Sequence, residues 1–239
     1  MILVLLAGCS ASQQASPTAT NAPTATSAPT ATLQPEPMTA EAILAQSADA
    51  MKQVQSMRFN YSTTVDAAGQ ALVTSGEGLM QQPDQMYMKL DVLGQTMEFL
   101  ILGKDEVYIK LPGAEEFTLN TPEMAALGGA APDIMAQIDV SEFSGSVTLD
   151  GEETLAGVPT YVISFEMDIA KYLQKDPSSA SIFNPVNTVG NGKLWIDQEN
   201  SYILKMEMNL AMDLAGNKVS TVTEMSFTDF NQPIEMPQP

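Results

Sequence analysis

The chain of 239 residues contains no histidine. That removes the commonest general base and the commonest catalytic metal ligand, and with them every Ser-His-Asp or Cys-His arrangement. Cysteine occurs once, at Cys9, so no disulfide supports the folded part. Basic residues are scarce: ten Lys and Arg stand against 29 Asp and Glu, for a net charge of −19. The first of them is Lys52. A nucleic-acid surface needs clustered cations to replace counterions, and a patch on anionic lipid needs the same; neither is here. The balance suits solubility and self-repulsion in an extracellular setting. After the first few residues no apolar run is long enough to cross a bilayer. Carboxylates are plentiful, so composition alone does not exclude a two-carboxylate glycosidase. The acids nevertheless fall one or two per strand-like stretch, as on solvated faces. The reading is a protein that is not an enzyme, with no cofactor and no metal.

What is present begins at the N-terminus. Leu3-Val4-Leu5-Leu6 is an apolar run, and Leu6-Ala7-Gly8-Cys9 follows it directly. This is the pattern of a bacterial lipoprotein signal, in which the cysteine takes a diacylglyceryl group and becomes the new N-terminus. The basic region and longer apolar core of a full secretory signal do not precede it, which suggests a late start or a truncated signal. Ser10 would permit outer-membrane sorting in a host that has an outer membrane. Residues 10–37 then hold no aromatic residue and one charge, Glu36, and repeat Pro-Thr-Ala-Thr at Pro17, Pro23 and Pro29. Such a segment buries too little to offset chain entropy, and regular proline keeps it extended. It reads as a disordered tether whose threonines could carry O-linked sugars. Residues 38–239 fit one domain of ordinary size. The organisation expected is therefore signal 1–9, tether 10–37 and domain 38–239.

The domain opens with a helix. Thr39 can cap it and Glu41 suits its first turn; Ile43, Ser47, Ala50, Met51 and Val54 share a face, and the end falls near Gln55. Strands follow. Met57, Phe59, Tyr61, Thr63 and Val65 alternate with polar residues, the mark of a half-buried strand. Further strands are expected at 71–80, 86–92, 97–101 and 107–111, joined by short turns into an antiparallel meander. Thr121-Pro122 opens a short helix stopped by Gly128-Gly129, and Pro132-Asp133 starts another turn. Strands resume at 145–152 and 160–167. A short helix at 169–174 and a Pro-Ser loop interrupt them, and strands at 192–197, 203–213 and 218–230 close the chain.

The folded part is rich in methionine, with Met86, Met88, Met97, Met167, Met206, Met208, Met212 and Met225 in strand stretches. Methionine is flexible and polarizable. It serves equally as a filler of an ordinary core and as an adaptable surface for acyl chains. Asp197-Gln198-Glu199-Asn200 has some look of a calcium loop but lacks the glycine and distal glutamate of one; a hairpin turn fits better. Trp195, the only tryptophan, lies between Leu194 and Ile196, so its facing stays open.

Four stretches carry a resemblance: Val107-Tyr108-Ile109-Lys110 after a Gly-Lys-Asp turn, Gly151 to Tyr161, Leu194-Trp195-Ile196-Asp197 followed by Ile203-Leu204-Lys205, and Phe227 to Asn231 with Pro233-Ile234. In order and spacing, behind a lipobox and a Thr-Pro tether, they resemble the LolA-like envelope lipoproteins and within them the mycobacterial LppX/LprG type. The resemblance implies an α+β fold: a strongly curved antiparallel sheet, a half-barrel of about ten strands, wrapped around the N-terminal helix with short helical excursions. It implies a hydrophobic cavity for lipids or acylated molecules and no catalysis. Carried onto the strand alternation here, the cavity is lined by Phe59, Tyr61, Met86, Met88, Met97, Phe99, Ile101, Ile109, Ile163, Phe165, Leu204, Met206, Met208 and Met225. Gly128-Gly129 would let the preceding helix move as a rim. The outer-membrane carrier branch is soluble and unanchored, whereas Cys9 would anchor this chain. The functional expectation is a lipoprotein of the cell envelope, outside the cytoplasm, that holds or hands over a lipid or acylated ligand. The alternative is a signalling or structural lipoprotein that uses the same fold to bind an envelope protein.

Overall fold

Helix α1 spans Ala40–Lys52 in the computed structural model, which describes residues 38–67, 69–103, 106–121, 140, 144–175, 188–214 and 217–239. Thr39 caps the helix by accepting from the Ala42 N–H at 3.2 Å. Glu41 in the first turn and Lys52 in the last complement the helix dipole. Ala40, Ile43, Leu44 and Ser47 form its buried face. The helix ends at Lys52 rather than near Gln55 because the N–H groups of Gln53 and Val54 turn back onto the carbonyls of Ala50 and Met51, which drops Val54 into the core.

Eleven strands follow: β1 (Ser56–Ala67), β2 (Gln70–Gln81), β3 (Gln85–Val92), β4 (Gln95–Gly103), β5 (Glu106–Lys110), β6 (Thr118–Leu119), β7 (Ser144–Leu155), β8 (Val158–Met167), β9 (Thr188–Asp197), β10 (Ile203–Leu214) and β11 (Asn217–Thr228). Among the described residues a second helix, α2, spans Ile169–Lys175. The strands form one antiparallel sheet in the order β6-β5-β4-β3-β2-β1-β11-β10-β9-β8-β7, so the first strand lies beside the last and two meanders meet at that seam. The Leu93-Gly94 and Ala156-Gly157 turns both have two consecutive residues at positive φ. That geometry matches the twist of a two-residue hairpin.

The half-barrel expected from the sequence is not what forms. The sheet has eleven strands rather than about ten, and it is neither closed nor strongly curled, so it does not wrap around α1. Closing a sheet requires two edges that pair over matching lengths. One edge here is the two-residue β6 and the other the twelve-residue β7. Strand β7 also carries two register shifts, Ser144/Val147 and Leu149/Gly151, which blunt it as a pairing edge. Burial is one-ended along the central strands. In β1, Met57 and Phe59 are buried, Tyr61 to Val65 are half-buried and Ala67 is exposed.

Smaller departures have local causes. Strand β9 starts at Thr188, earlier than Gly192, because Thr188 to Asn191 pair with β10 despite two glycines in the strand. Strand β11 ends at Thr228 rather than Phe230, where Asp229 takes a φ of 54°. Strand β6 lacks the alternation that would announce it. Cys9, residues 10–37, the helix expected between Thr121 and Gly129, the turn at Pro132 and the loop at 176–187 lie outside the described residues.

The C-terminal tail ties the α1–β1 junction. Asn231 Oδ1 accepts from Gln55 N–H at 2.7 Å, Asn231 N–H donates to the Ser56 carbonyl at 2.8 Å, and Ser56 Oγ donates to the Gln232 carbonyl at 2.6 Å. Tyr202 stacks on Phe230 with ring centroids 4.6 Å apart.

Candidate ligand-binding face

The register places one set of side chains on each side of the sheet. In rows across β3, β2, β1, β11 and β10, Met88 meets Gly78, Phe59 and Phe227. The next row is Leu90, Gly76, Tyr61, Met225 and Met206, and the next Val92, Thr74, Thr63, Thr223 and Met208. Phe99 and Ile109 continue the first row into β4 and β5, and Leu194 with Ile163 continues the second into β9 and β8. These residues face the buried side of α1: Ala40, Ile43 and Leu44 belong to the same apolar cluster. Eight of the 26 buried residues of that cluster are methionines, so nearly a third of its lining is flexible thioether rather than branched aliphatic chain.

The cluster gathers most of the residues that the sequence points to. Phe59, Met86, Met88, Phe99, Ile109, Ile163, Phe165, Met206, Met208 and Met225 are buried in it, and Tyr61, Met97 and Ile101 pack against it half-buried. Leu204 does not join them. A register shift between Ile203 and Lys205 breaks the alternation, Ile203 takes the core position, and Leu204 lines a groove elsewhere. The same face also holds Met57, Met80, Leu90, Leu194 and Phe227, which the expected cavity lining leaves out. Their signal was there, since each stands two residues along from one that was chosen or in step with it.

Two glycines shape the face. A Cβ on Gly78 would overlap the Phe59 ring, and one on Gly192 would overlap the Phe165 ring and approach the Glu207 carbonyl oxygen at 2.6 Å. Each phenylalanine thus lies down over a glycine of the neighbouring strand, a cross-strand pairing that covers exposed backbone.

The face carries no charge on β1–β5 and β8–β11. Arg58, Lys89, Lys110, Lys193, Lys205 and Lys218 all occupy the opposite phase, as do Glu77, Asp91, Glu98, Glu166, Glu207 and Glu224. On that outer side the charges pair with one another. Lys193 Nζ lies 3.1 Å from Asp150 Oδ2, and Lys205 Nζ lies 2.6 Å from Glu207 Oε1. The Ser164 hydroxyl and Lys193 hold the Asp150 carboxyl below its ordinary range. Burial, reinforced by the hydrogen bond to Glu98, pushes the Tyr87 hydroxyl upward. Trp195 also faces outward: its Nε1–H donates to Glu153 Oε2 at 2.9 Å, and Lys205 Nζ sits 4.8 Å from the ring centroid.

Hydroxyls are the polar groups that break the apolar face. Thr63 Oγ1 donates to the Tyr61 phenol oxygen at 2.7 Å and lies 2.8 Å from Thr223 Oγ1. On α1, Ser47 is fully buried and its hydroxyl has no hydrogen-bond partner.

On the outer side a groove of about 660 Å³ runs between the Ala156 turn, the Asn200 turn and the C-terminal tail, lined by Leu155, Val158, Tyr202, Leu204 and Phe230 among others. The Asp197–Asn200 segment at its rim is a hairpin turn. Asp197 Oδ1 accepts from Glu199 N–H and Oδ2 from Asn200 Nδ2, each at 2.8 Å, so the carboxylate is spent on the turn itself.

No family model matches the chain. No curated protein matches it in sequence. Among solved structures, LprF from Mycobacterium bovis superposes with a TM-score of 0.52 at 17% identity, covering 84% of this chain and 96% of that one. The lipoprotein LppX from Mycobacterium tuberculosis gives a TM-score of 0.48 at 14% identity over 82% of this chain and 97% of that one. A LolA superfamily protein from Nitrosomonas europaea gives 0.32 at 13% identity over 84% and 96%. In fold, this chain is similar to the lipoprotein LprF, a relative of the type its sequence resembles.

Proposed function

We propose that this chain is an envelope lipoprotein, outside the cytoplasm and anchored through Cys9, that holds a lipid or other acylated molecule against the uncharged face of its sheet for storage or transfer. The observation that carries the reading is the charge-free, methionine-rich face nine strands wide, against which α1 sets only four buried side chains. Thioether side chains adapt to chains of differing shape. A diacylglyceryl group on Cys9 supplies two acyl chains, enough for stable attachment at about 0.8 kcal/mol per buried methylene. Residues 10–37 act as the spacer. The absence of histidine from the sequence fits a binding protein better than a catalyst.

A second reading has its own support. Met88, Phe99, Ile163 and Leu194 are at most 1% exposed without any ligand. A face filled so well by its own side chains fits a protein that binds an envelope partner instead. One experiment separates the two. The full chain is expressed behind a complete lipoprotein signal sequence, beside its Cys9→Ser form, and both are fractionated and examined by native mass spectrometry. The lipid-binding reading expects the parent in membranes, Cys9→Ser in the soluble fraction, and a non-covalent lipid adduct on both. Protein of bare mass in both preparations moves the conclusion to the partner-binding reading. A mature Cys9→Ser protein still in membranes overturns the anchor.

A further inference from the structure

Nine large apolar side chains are exposed among the described residues, and five of them lie at one level of the sheet. Val73 and Val222 both pair with Thr64 of β1, and Leu72 pairs with Val65. Val189 falls one row further, in line with Ala211, Ser220 and Asp66. Leu93 follows Val92, which pairs with Thr74 beside Thr63. The five form a band across six strands, from β3 to β9, about 24 Å wide and about 7 Å deep. The opposite end of the sheet is polar: its β2–β3 and β9–β10 turns read Gln82-Pro83-Asp84 and Gln198-Glu199-Asn200.

Leu93 stands where the backbone least favours a leucine. It opens a two-residue turn at φ 55° and is 79% exposed. That left-handed position suits Asn or Gly. The same position in the Ala156-Gly157 turn, at the opposite end, holds only a methyl group. A side chain so exposed gains little from packing, so folding does not account for it; backbone outliers of this kind gather at functional positions. The band also wraps the sheet end. Val73, Val189 and Val222 share the phase of the charged outer side, Leu72 shares that of the apolar side, and Leu93 is at the tip. A protein partner would cover one face. Apolar groups on both faces fit a medium that surrounds the end. Asp66, Asp91, Asp213 and Lys218 stand at this end too, which keeps it in the polar headgroup layer and gives it no attraction for anionic lipid.

We infer that this end of the sheet is a membrane-docking rim, which seats Leu72, Val73, Leu93, Val189 and Val222 in the headgroup region of an electrically neutral bilayer. The apolar face opens at the same end: Phe59 is buried, Val65 half-buried and Leu72 exposed, so the rim would bring that opening to a lipid surface. The inference rests on the anchored reading for its reach. Residues 10–37, even fully extended at about 3.1 Å each, span no more than about 90 Å. A bilayer that holds Cys9 is then always near, and a weak second contact acts at high effective concentration.

The test uses the mature chain, residues 9–239, as Cys9→Ser, so that no acyl group contributes. It is floated with vesicles of phosphatidylcholine and, separately, of phosphatidylcholine and phosphatidylglycerol in equal parts. The parent should float with the neutral vesicles and less with the anionic ones, since the chain carries a charge of −19 and anionic lipid recruits basic clusters. Leu93→Asn should lower the partition constant about three- to tenfold, the loss of one partly inserted aliphatic side chain. Its urea midpoint should hold or rise, because Asn suits a positive φ. Val73→Thr keeps the branched shape that strands favour and should also weaken partition. Leu119→Thr, at an exposed position on β6, should change nothing. The rim is overturned if Leu93→Asn or Val73→Thr floats like the parent, if Leu119→Thr loses as much as they do, or if anionic vesicles bind better. A lower urea midpoint for Leu93→Asn also overturns it, since Leu93 would then be a packing residue. A parent that stays soluble at every lipid concentration overturns it and leaves a protein as the occupant. That failure is distinct from failure of the lipid-binding reading: protein that carries a lipid adduct yet ignores vesicles loses the rim and keeps the reading.

Discussion

Gly192 shows how a single residue can carry a role that no sequence pattern announces. Alternation along one strand assigns Phe165 to the apolar face, but the glycine that accepts its ring belongs to the next strand, and only the register brings the two together. The same holds for Phe59 and Gly78. Gly192→Ala should destabilise the domain by about 1–3 kcal/mol, the usual cost of overpacking, because the added carbon meets both a packed ring and the Glu207 carbonyl oxygen. Urea denaturation of residues 38–239 measures it; a midpoint within error of the parent would show that Phe165 has somewhere else to go. Leu204 teaches the converse. Alternation with Met206 and Met208 assigns it to the apolar face, and one register shift at Ile203 is enough to put it on the other side. Bulges of this kind leave no mark in hydrophobic alternation, so side-chain facing is legible only up to the nearest one.

At the level of the element, the strands were legible because most alternate cleanly over eight residues or more, and the short turns between them forced antiparallel neighbours. Thr39 and Glu41 announced α1 for the same kind of local reason. What stayed hidden was β6, too short to have a period, and the first four residues of β9, Thr188 to Asn191, whose pairing with β10 no alternation announces. Outer-side polar pairs join these elements, and one has a pH signature. Asp150 of β7 accepts from Ser164 of β8 at 2.6 Å and pairs with Lys193 of β9. Its folded pKa is held down. The stabilisation is therefore complete above the unfolded carboxylate pKa of about 3.9 and is lost as pH falls from there through the folded value. Asp150→Asn should lower the melting temperature slightly at pH 6 and flatten its decline below about pH 4. The group is exposed, so the effect is small. Identical acid limbs for parent and variant would show that the pair contributes nothing measurable.

For the whole molecule, the resemblance carried the kinship of the fold but not the degree of curl. Curl depends on accumulated twist, on bulges and on whether the two edges can meet; alternating side chains report none of these. The unequal edges β6 and β7 decided it. The division of charge between the two sides of the sheet has a consequence for experiment. Ionic strength becomes a dial that acts on one side only. Between about 0.01 and 1 M salt the screening length falls from about 30 to 3 Å. Over that range every pair and field on the outer side weakens, including whatever steers a protein partner toward it. The apolar side of β1–β5 and β8–β11 carries no charge of its own to screen. Loading of a neutral lipid should therefore keep the same half-time across the whole range, while docking of any charged partner slows or quickens with salt. A loading rate that follows the salt concentration would mean that the ligand reaches its site by way of the charged surface.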